Sequence, residues 1–370
     1  MNRKPVYRLY GSELSYFTGK VRAYLRWAGL PFEEVLSDAE VYRQVIVPGV
    51  GAAVIPVLGT PAGELLQDST DIIDTLDARH AGRDGVPSVY PAGPLQKLAS
   101  LMLETYGDEW LVIPAMHYRW HHNREWAIAQ FGALNAPQAS PEEQRQIGAR
   151  RAAPFAAAAE LLGATPPLHA AVEASYEALL QELDTHLARH PALLGGAATM
   201  GDFGLIGPLY AHLWRDPASG ELMRRRAPHV ARWVEQLQFR PAELRGALLP
   251  DDAIPDTLEP VLRRMAREQL PVLVDSAHRV RRWMGENPGQ PLPRTLGQHP
   301  FTLEGRTGER IVRPYSLWML QRVRDHLASL SEADHQRAAA WLCALGAEQL
   351  LDFPDPPRLE RDRLSVKPAR

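Results

Sequence analysis

The sequence predicts an α/β domain, then an all-α helical bundle domain, then a mostly helical C-terminal extension. Three observations carry this reading. Residues 6–77 alternate strand-like and helix-like segments; residues 82–94 are rich in glycine and proline; and most segments beyond residue 95 repeat their apolar positions at helical spacing.

Val6-Tyr7-Arg8-Leu9-Tyr10 alternates apolar and polar residues at period two and reads as the first strand. Gly11–Ser15 is the turn after it. A helix follows over Thr18–Ala28, with Val21, Tyr24, Leu25 and Ala28 on one face. Gly29-Leu30-Pro31 stops that helix, because glycine suits the position past its end and proline cannot continue it. Phe32–Val35 begins a second strand and Val54–Leu58 is a third apolar run, whose Pro56 cannot sit in a central strand. Gly59–Gly63 is a turn and Glu64–Leu66 a fourth strand. Asp68 or Ser69 then caps a helix with Ile72, Ile73 and Leu76 on its apolar side.

The domain limits follow: residues 1–81 for the α/β domain, 82–94 for a linker, 95–254 for the helical domain and 255–370 for the extension. Leu95–Phe131 predicts one long helix, or two broken at Pro114. The Ala- and Pro-rich stretch 136–167 predicts a loose insertion around one helix, Pro141–Ala153, capped by Ser140. Leu168–Ala188 is amphipathic. Thr199-Met200-Gly201-Asp202 is a capping box opening an unusually apolar helix, Phe203–Trp214, expected in the middle of the bundle. Pro228–Leu237 is a further helix. In the extension Leu258–Arg282, Ser316–Ser329 and His335–Leu351 read as helices, and residues 301–313 as a small hairpin.

Composition narrows the classes. The chain has 370 residues, 45% of them hydrophobic, and a net charge of −3. That length suits about two or three domains, and that charge implies no pull toward nucleic acid or membrane. The single cysteine, Cys343, excludes a disulfide framework and suits a reducing compartment. Met1–Tyr10 lacks the apolar core of a signal peptide, and no apolar run approaches ~18 residues, so a soluble, cytoplasmic protein is expected.

The motifs Leu9-Tyr10…Ser15, Val21–Leu25, Gly29–Glu33, Ile55–Leu58 and Asp68–Ile72, followed by the box at Thr199–Phe203, resemble the glutathione transferases. The resemblance covers residues 6–250 or so and is to the serine-type bacterial members, here with a C-terminal extension. It implies a thioredoxin-like first domain and an all-helical second one. It also implies glutathione as co-substrate, conjugation of its thiolate to a hydrophobic electrophile, and a symmetric homodimer.

The resemblance makes physical demands on particular residues. A cis Ile55–Pro56 bond would offer the Ile55 backbone to the cysteinyl part of glutathione as an added strand. Ser69 and nearby N–H groups would take the γ-glutamyl carboxylate at a helix N-terminus, and Asp68 its ammonium. Arg43 and Gln44 are candidates for the glycyl carboxylate. The thiol must be lowered from ~8.5 by about two units, ~2.7 kcal/mol of differential stabilisation. Ser15 stands where serine-type members keep their hydroxyl; Tyr16 is the rival and Ser12 a distant third. Against this, Ser15 and Asp68-Ser69 also read as plain helix caps. Tyr106, Trp110, Met116, His117 and Trp120 would wall the hydrophobic-substrate cleft, or simply form interhelical core.

Other features point less far. The first domain has no cysteine, which disfavours a glutaredoxin-like mechanism, and Cys343 is expected as a buried, inert thiol. His117, His121 and His122 lack a His-Glu-x-x-His pattern, and a polar face is expected there rather than a metal. Arg224–Arg226 and the series Arg263, Arg264, Arg267, Arg279, Arg281 and Arg282 are expected on solvated helix faces. The alternative to a transferase is a non-catalytic protein that binds glutathione or another hydrophobic ligand, or a partner, on the same fold. The extension is expected to pack on the bundle and reshape or cover the cleft.

Overall fold

The computed structural model describes residues 6–83 and 85–369. Its first domain is built on a four-stranded sheet of order β2-β1-β3-β4. β1 (Tyr7–Gly11) lies parallel to β2 (Phe32–Leu36), and β3 (Val57–Gly59) and β4 (Leu65–Gln67) continue it antiparallel. A parallel pair needs a crossover, and α1 (Tyr16–Trp27) supplies it. Its buried face carries Val21, Tyr24, Leu25 and Trp27. Gly29, at φ +69°, ends it in the left-handed conformation that glycine adopts without a Cβ clash. Residues 39–50 coil as α2 (Ala39–Val41), a π turn and α3 (Val47–Val50), a helical segment that no sequence signal predicted. α4 (Ser69–His80) closes the domain.

The helical domain begins at α5 (Pro94–Glu109). The predicted long helix is in fact three: α5, α6 (Val112–His117) running into a π turn Tyr118–His122, and α7 (Arg124–Asn135). The first break falls at Trp110–Leu111, not at Pro114. Pro114 sits in the first turn of α6, where a missing N–H costs nothing. The stretch expected as a loose insertion is a firm helix, α8 (Pro141–Leu161), opened by the Ser140–Glu143 capping box. It pairs with α7 through Gly132 and Gly148: a Cβ at either would run into the partner's backbone. α9 (His169–Leu187) follows. After the strand β5 (Gly195–Ala197), α10 (Met200–Pro208) is buried at every residue, as its apolar sequence predicts. The Thr199 N–H donates to Asp202 at 2.8 Å in the predicted capping box. α11 (Pro217–Arg226), α12 (Pro228–Phe239) and β6 (Arg245–Leu248), which pairs with β5, complete the domain.

The extension runs α13 (Glu259–Glu268), α14 (Leu270–Glu286), the hairpin β7 (Gln298–Leu303) and β8 (Arg306–Ile311), α15 (Tyr315–Ala328), α16 (Glu332–Leu345), and a terminal hairpin β9 (Leu359–Asp362) and β10 (Ser365–Pro368). The expected helix 258–282 is broken at Gln269. Most buried apolar residues of the extension, among them Leu262, Leu273, Phe301, Leu320 and Leu342, belong to one apolar cluster with residues of the other two domains. Two expectations fail here. Cys343 is exposed, because the buried face of α16 runs through Ala338, Leu342 and Leu345. Arg264 is buried rather than solvated, paired with Glu182 and Glu268 at 2.7 Å each.

Buried charge stitches the three parts together. Lys20 of α1, wholly buried, donates to Glu104 at 2.8 Å, Asp108 at 2.6 Å and Thr70 at 3.0 Å. Arg322 of α15 reaches the other oxygen of Glu104 and pairs with Asp74 at 3.0 Å. Burial by itself lowers the Lys20 ammonium, but Asp108 and Glu104 outweigh it and hold the proton on. Burial pushes the Asp108 carboxyl up to about 8, against the pull of Lys20.

Candidate functional site

The face predicted to bind a ligand lies where the α1 N-terminus, the Ile55–Pro56 bond and the β4–α4 corner meet. Ile55–Pro56 is cis. Among the described residues the Ile55 N–H and C=O have no hydrogen-bond partner. Ser15 is half-buried and is the N-cap of α1, its Oγ accepting the Thr18 N–H at 3.2 Å. Its own hydroxyl proton meets no acceptor among the described residues. Ser12 accepts the Leu14 N–H at 3.2 Å. Tyr16 is committed elsewhere: its phenol is buried in the interdomain contact and donates to the Gly107 carbonyl, and burial, with Asp108, raises its pKa well above the usual value.

At the β4–α4 corner Asp68 stands at φ +81°, a conformation costing ~1–3 kcal/mol for a residue with a side chain. Its carboxylate caps α4, accepting Thr70 N–H at 2.9 Å and Asp71 N–H at 3.3 Å. Ser69, next to it, is buried. The extension occupies this corner. The Tyr315 phenol, the first residue of α15, donates to the free oxygen of Asp68. Arg361 of β9 donates to the Gln67 side chain, to the Gln67 carbonyl at 3.0 Å and to Asp71 at 2.7 Å. Burial and Asp68 raise the Tyr315 phenol, so it stays a neutral donor. Arg43 and Gln44 are exposed on the π turn between α2 and α3, and Gln44 donates to Glu40 at 2.9 Å.

The predicted substrate wall is assembled but filled. Tyr106, Trp110, Met116, His117 and Trp120 are all buried. Trp110 donates to Glu268 of α13 at 3.2 Å and meets Phe301 of β7 edge-on, with ring centroids 6.0 Å apart. Between Tyr106, Trp110, Tyr176 and Leu303 remains a void of ≈ 10 Å³, room for about one water. Ligand pockets run to ~300–1,000 Å³. Arg310 of β8 stacks over Trp110, its carbon 4.9 Å from the ring centroid, and its buried Nε has no hydrogen-bond partner among the described residues. Burial pushes that guanidinium down to about 9. His117 leaves the wall for another cluster: its Nε2 meets Glu173 at 2.8 Å, and burial pushes the imidazole down to about 4.

Sequence reasoning missed Tyr315, Arg361, Gln67 and Asp71 as members of this site. Arg361 lies 290 residues from Asp71, and no spacing rule links positions so far apart.

The architecture defines a class: a thioredoxin-like domain of β2-β1-β3-β4 order joined to an all-helical domain. The family model "Glutathione S-transferase, N-terminal domain" matches residues 9–84, and "Glutathione S-transferase, C-terminal domain" matches residues 166–236. These two matches, in the order of the two domains, support membership of the glutathione S-transferase superfamily. Among solved structures it is similar to a glutathione S-transferase from Methylobacterium radiotolerans in complex with glutathione sulfonate: 24% identity, TM-score 0.39, covering 67% of this chain and 99% of that one. The beta-etherase LigF from a Sphingobium strain gives 19% identity and TM-score 0.47 over 64% of this chain and 96% of that one. A theta class enzyme from Xanthomonas axonopodis pv. citri, with glutathione bound, gives 18% and 0.40 over 66% and 100%. A search of the curated proteins found no match. Among the described residues no helix is long and apolar enough to cross a membrane.

Proposed function

We propose that this protein is a non-catalytic member of its superfamily, a binding or interaction protein whose glutathione face is held shut by its own extension. The observation that carries this reading is the Tyr315 phenol on the Asp68 carboxylate. A γ-glutamyl ammonium arriving at Asp68 competes with that phenol, and its carboxylate approaches a helix N-terminus where Ser69 is buried. The filled wall at Trp110 leaves a hydrophobic electrophile no cleft between these side chains. The Ile55 edge stays open, so the cysteinyl part of glutathione keeps its partner. Homodimer formation and a cytoplasmic location belong to this reading as expectations from the family.

The transferase reading rests on one observation, the uncommitted hydroxyl proton of Ser15 beside the α1 N-terminus. Calorimetric titration with glutathione, run beside conjugation of a chlorodinitrobenzene substrate, separates the two. The full chain should bind weakly, Tyr315→Phe should tighten binding about tenfold, ~1.4 kcal/mol, and neither should conjugate. Family-like turnover in the full chain, abolished by Ser15→Ala with binding intact, would establish the transferase instead.

A further inference from the structure

The π turn at residues 118–122 gathers a histidine cluster at the outer end of the helical domain. In an α-helix residues five apart diverge; a π turn closes i to i+5, here Asn123 N–H to the Tyr118 carbonyl at 3.1 Å. It brings His117 and His122 to the same carboxylate oxygen, Glu173 Oε1, at 2.8 and 2.7 Å. Glu173 sits one turn beyond His169 on α9, and the His169 ring lies 4.5 Å from that of His117 and 4.2 Å from that of His121.

Two groups of the cluster are left without hydrogen bonds. His117 is 1% exposed, yet its Nδ1 has no partner among the described residues. His121 makes no hydrogen bond among them, and its ring stacks on His117 at 5.1 Å. One ligand atom each from His117, His122 and Glu173 lies within 4.8 Å of the others. Four-coordinate zinc with bonds of ~2.0–2.1 Å holds its ligand atoms ~3.3 Å apart, so each of the two histidine nitrogens needs to part from Glu173 Oε1 by only about half an ångström. Two imidazoles and one carboxylate form the donor set of borderline first-row metals, not of calcium or magnesium.

We propose that His117, His122 and Glu173 bind a divalent first-row transition metal of the zinc type. His122 and Glu173 are a third exposed, which leaves the fourth coordination position facing solvent, with His121 and His169 flanking it. The ion clips the π turn to α9 and is independent of the glutathione face.

Titration of the full chain with zinc chloride tests this, with cobalt(II) as the spectroscopic probe. The expected result is one ion per chain with a Kd below about 1 μM. Cobalt should show visible bands of four- or five-coordinate intensity, and zinc should raise the melting temperature. His117→Ala risks the fold, so the variants are His122→Ala and Glu173→Gln, at positions a third exposed. Each should weaken zinc at least about a hundredfold and abolish the cobalt bands while melting as the metal-free parent does. No binding by the parent overturns the proposal. So does undiminished binding in both variants, which would put the ion elsewhere, for instance at the exposed Cys343.

Discussion

His186 shows how a single buried group couples stability to pH. It lies wholly buried in α9, its Nδ1 against the Thr257 hydroxyl at 2.8 Å and its ring stacked 5.1 Å from His190. Burial, with the nearby His190, pushes its imidazole down to about 4. The unfolded chain, with an ordinary histidine near ~6.5, therefore binds the extra proton first. Stability carried by neutral His186 is complete above about pH 6.5 and is lost as the pH falls toward 4, at most ~3 kcal/mol. Chemical denaturation across that range should show the loss, and His186→Leu should flatten the slope between pH 6.5 and 4 whatever it does to stability at pH 7. An unchanged slope would assign the acid sensitivity to other groups. The residue scale is also where reading sites from sequence is weakest. Ser15 was legible both as a cap and as a candidate donor. Tyr16, one position on, is carried to the opposite environment by a single step of helical rotation.

At the scale of elements, the crossing of α5 and α10 organises the helical domain. The two helices meet backbone to backbone: a Cβ on Gly204 would stand 2.5 Å from the Glu104 Cα, and one on Gly107 would run into the Gly204 carbonyl. Gly107→Ala should separate the helices and cost about 1–3 kcal/mol, read as a fall in the denaturation midpoint at unchanged slope. A neutral outcome would show that the contact relaxes. Most elements were legible because periodicity, caps and breakers are local. Asp68 caps α4, Gly29 ends α1, Thr199 and Asp202 open α10, and Glu304-Gly305, both at positive φ, turn the β7–β8 hairpin. The exceptions have local reasons too. Pro114 was read as a breaker, yet the first turn of α6 absorbs it. Residues 39–50 alternate between α and π geometry and offer no clean 3.6 period.

For the whole molecule, the decisive feature is that the extension shares one core with both domains and supplies charge to their junction. Arg322 joins α15 to Glu104 of α5 and Asp74 of α4, while Lys20 meets Glu104 from α1. Arg322→Ala leaves a carboxylate that is 1% exposed with half its compensation. It should cost about 3 kcal/mol and loosen the cover over Asp68, seen as a lower melting temperature with faster amide exchange at the start of α4. A lower melting temperature without that local exchange would mean the cover is held by Arg361 alone.

The sequence by itself determined the order of most elements, the α/β domain followed by a helical one, and the polar cap at Asp68–Ser69. Each depends on residues within a few positions of one another. Only the tertiary structure decided what covers that corner and what fills the substrate wall. Tyr315, Arg361 and Phe301 meet partners 247, 290 and 191 residues earlier in the chain, and no propensity or period in a chain encodes contacts made across such separations. The same folding brings His169 and Glu173 of α9 to His117 and His122, so that residues legible only as a polar face become a single cluster.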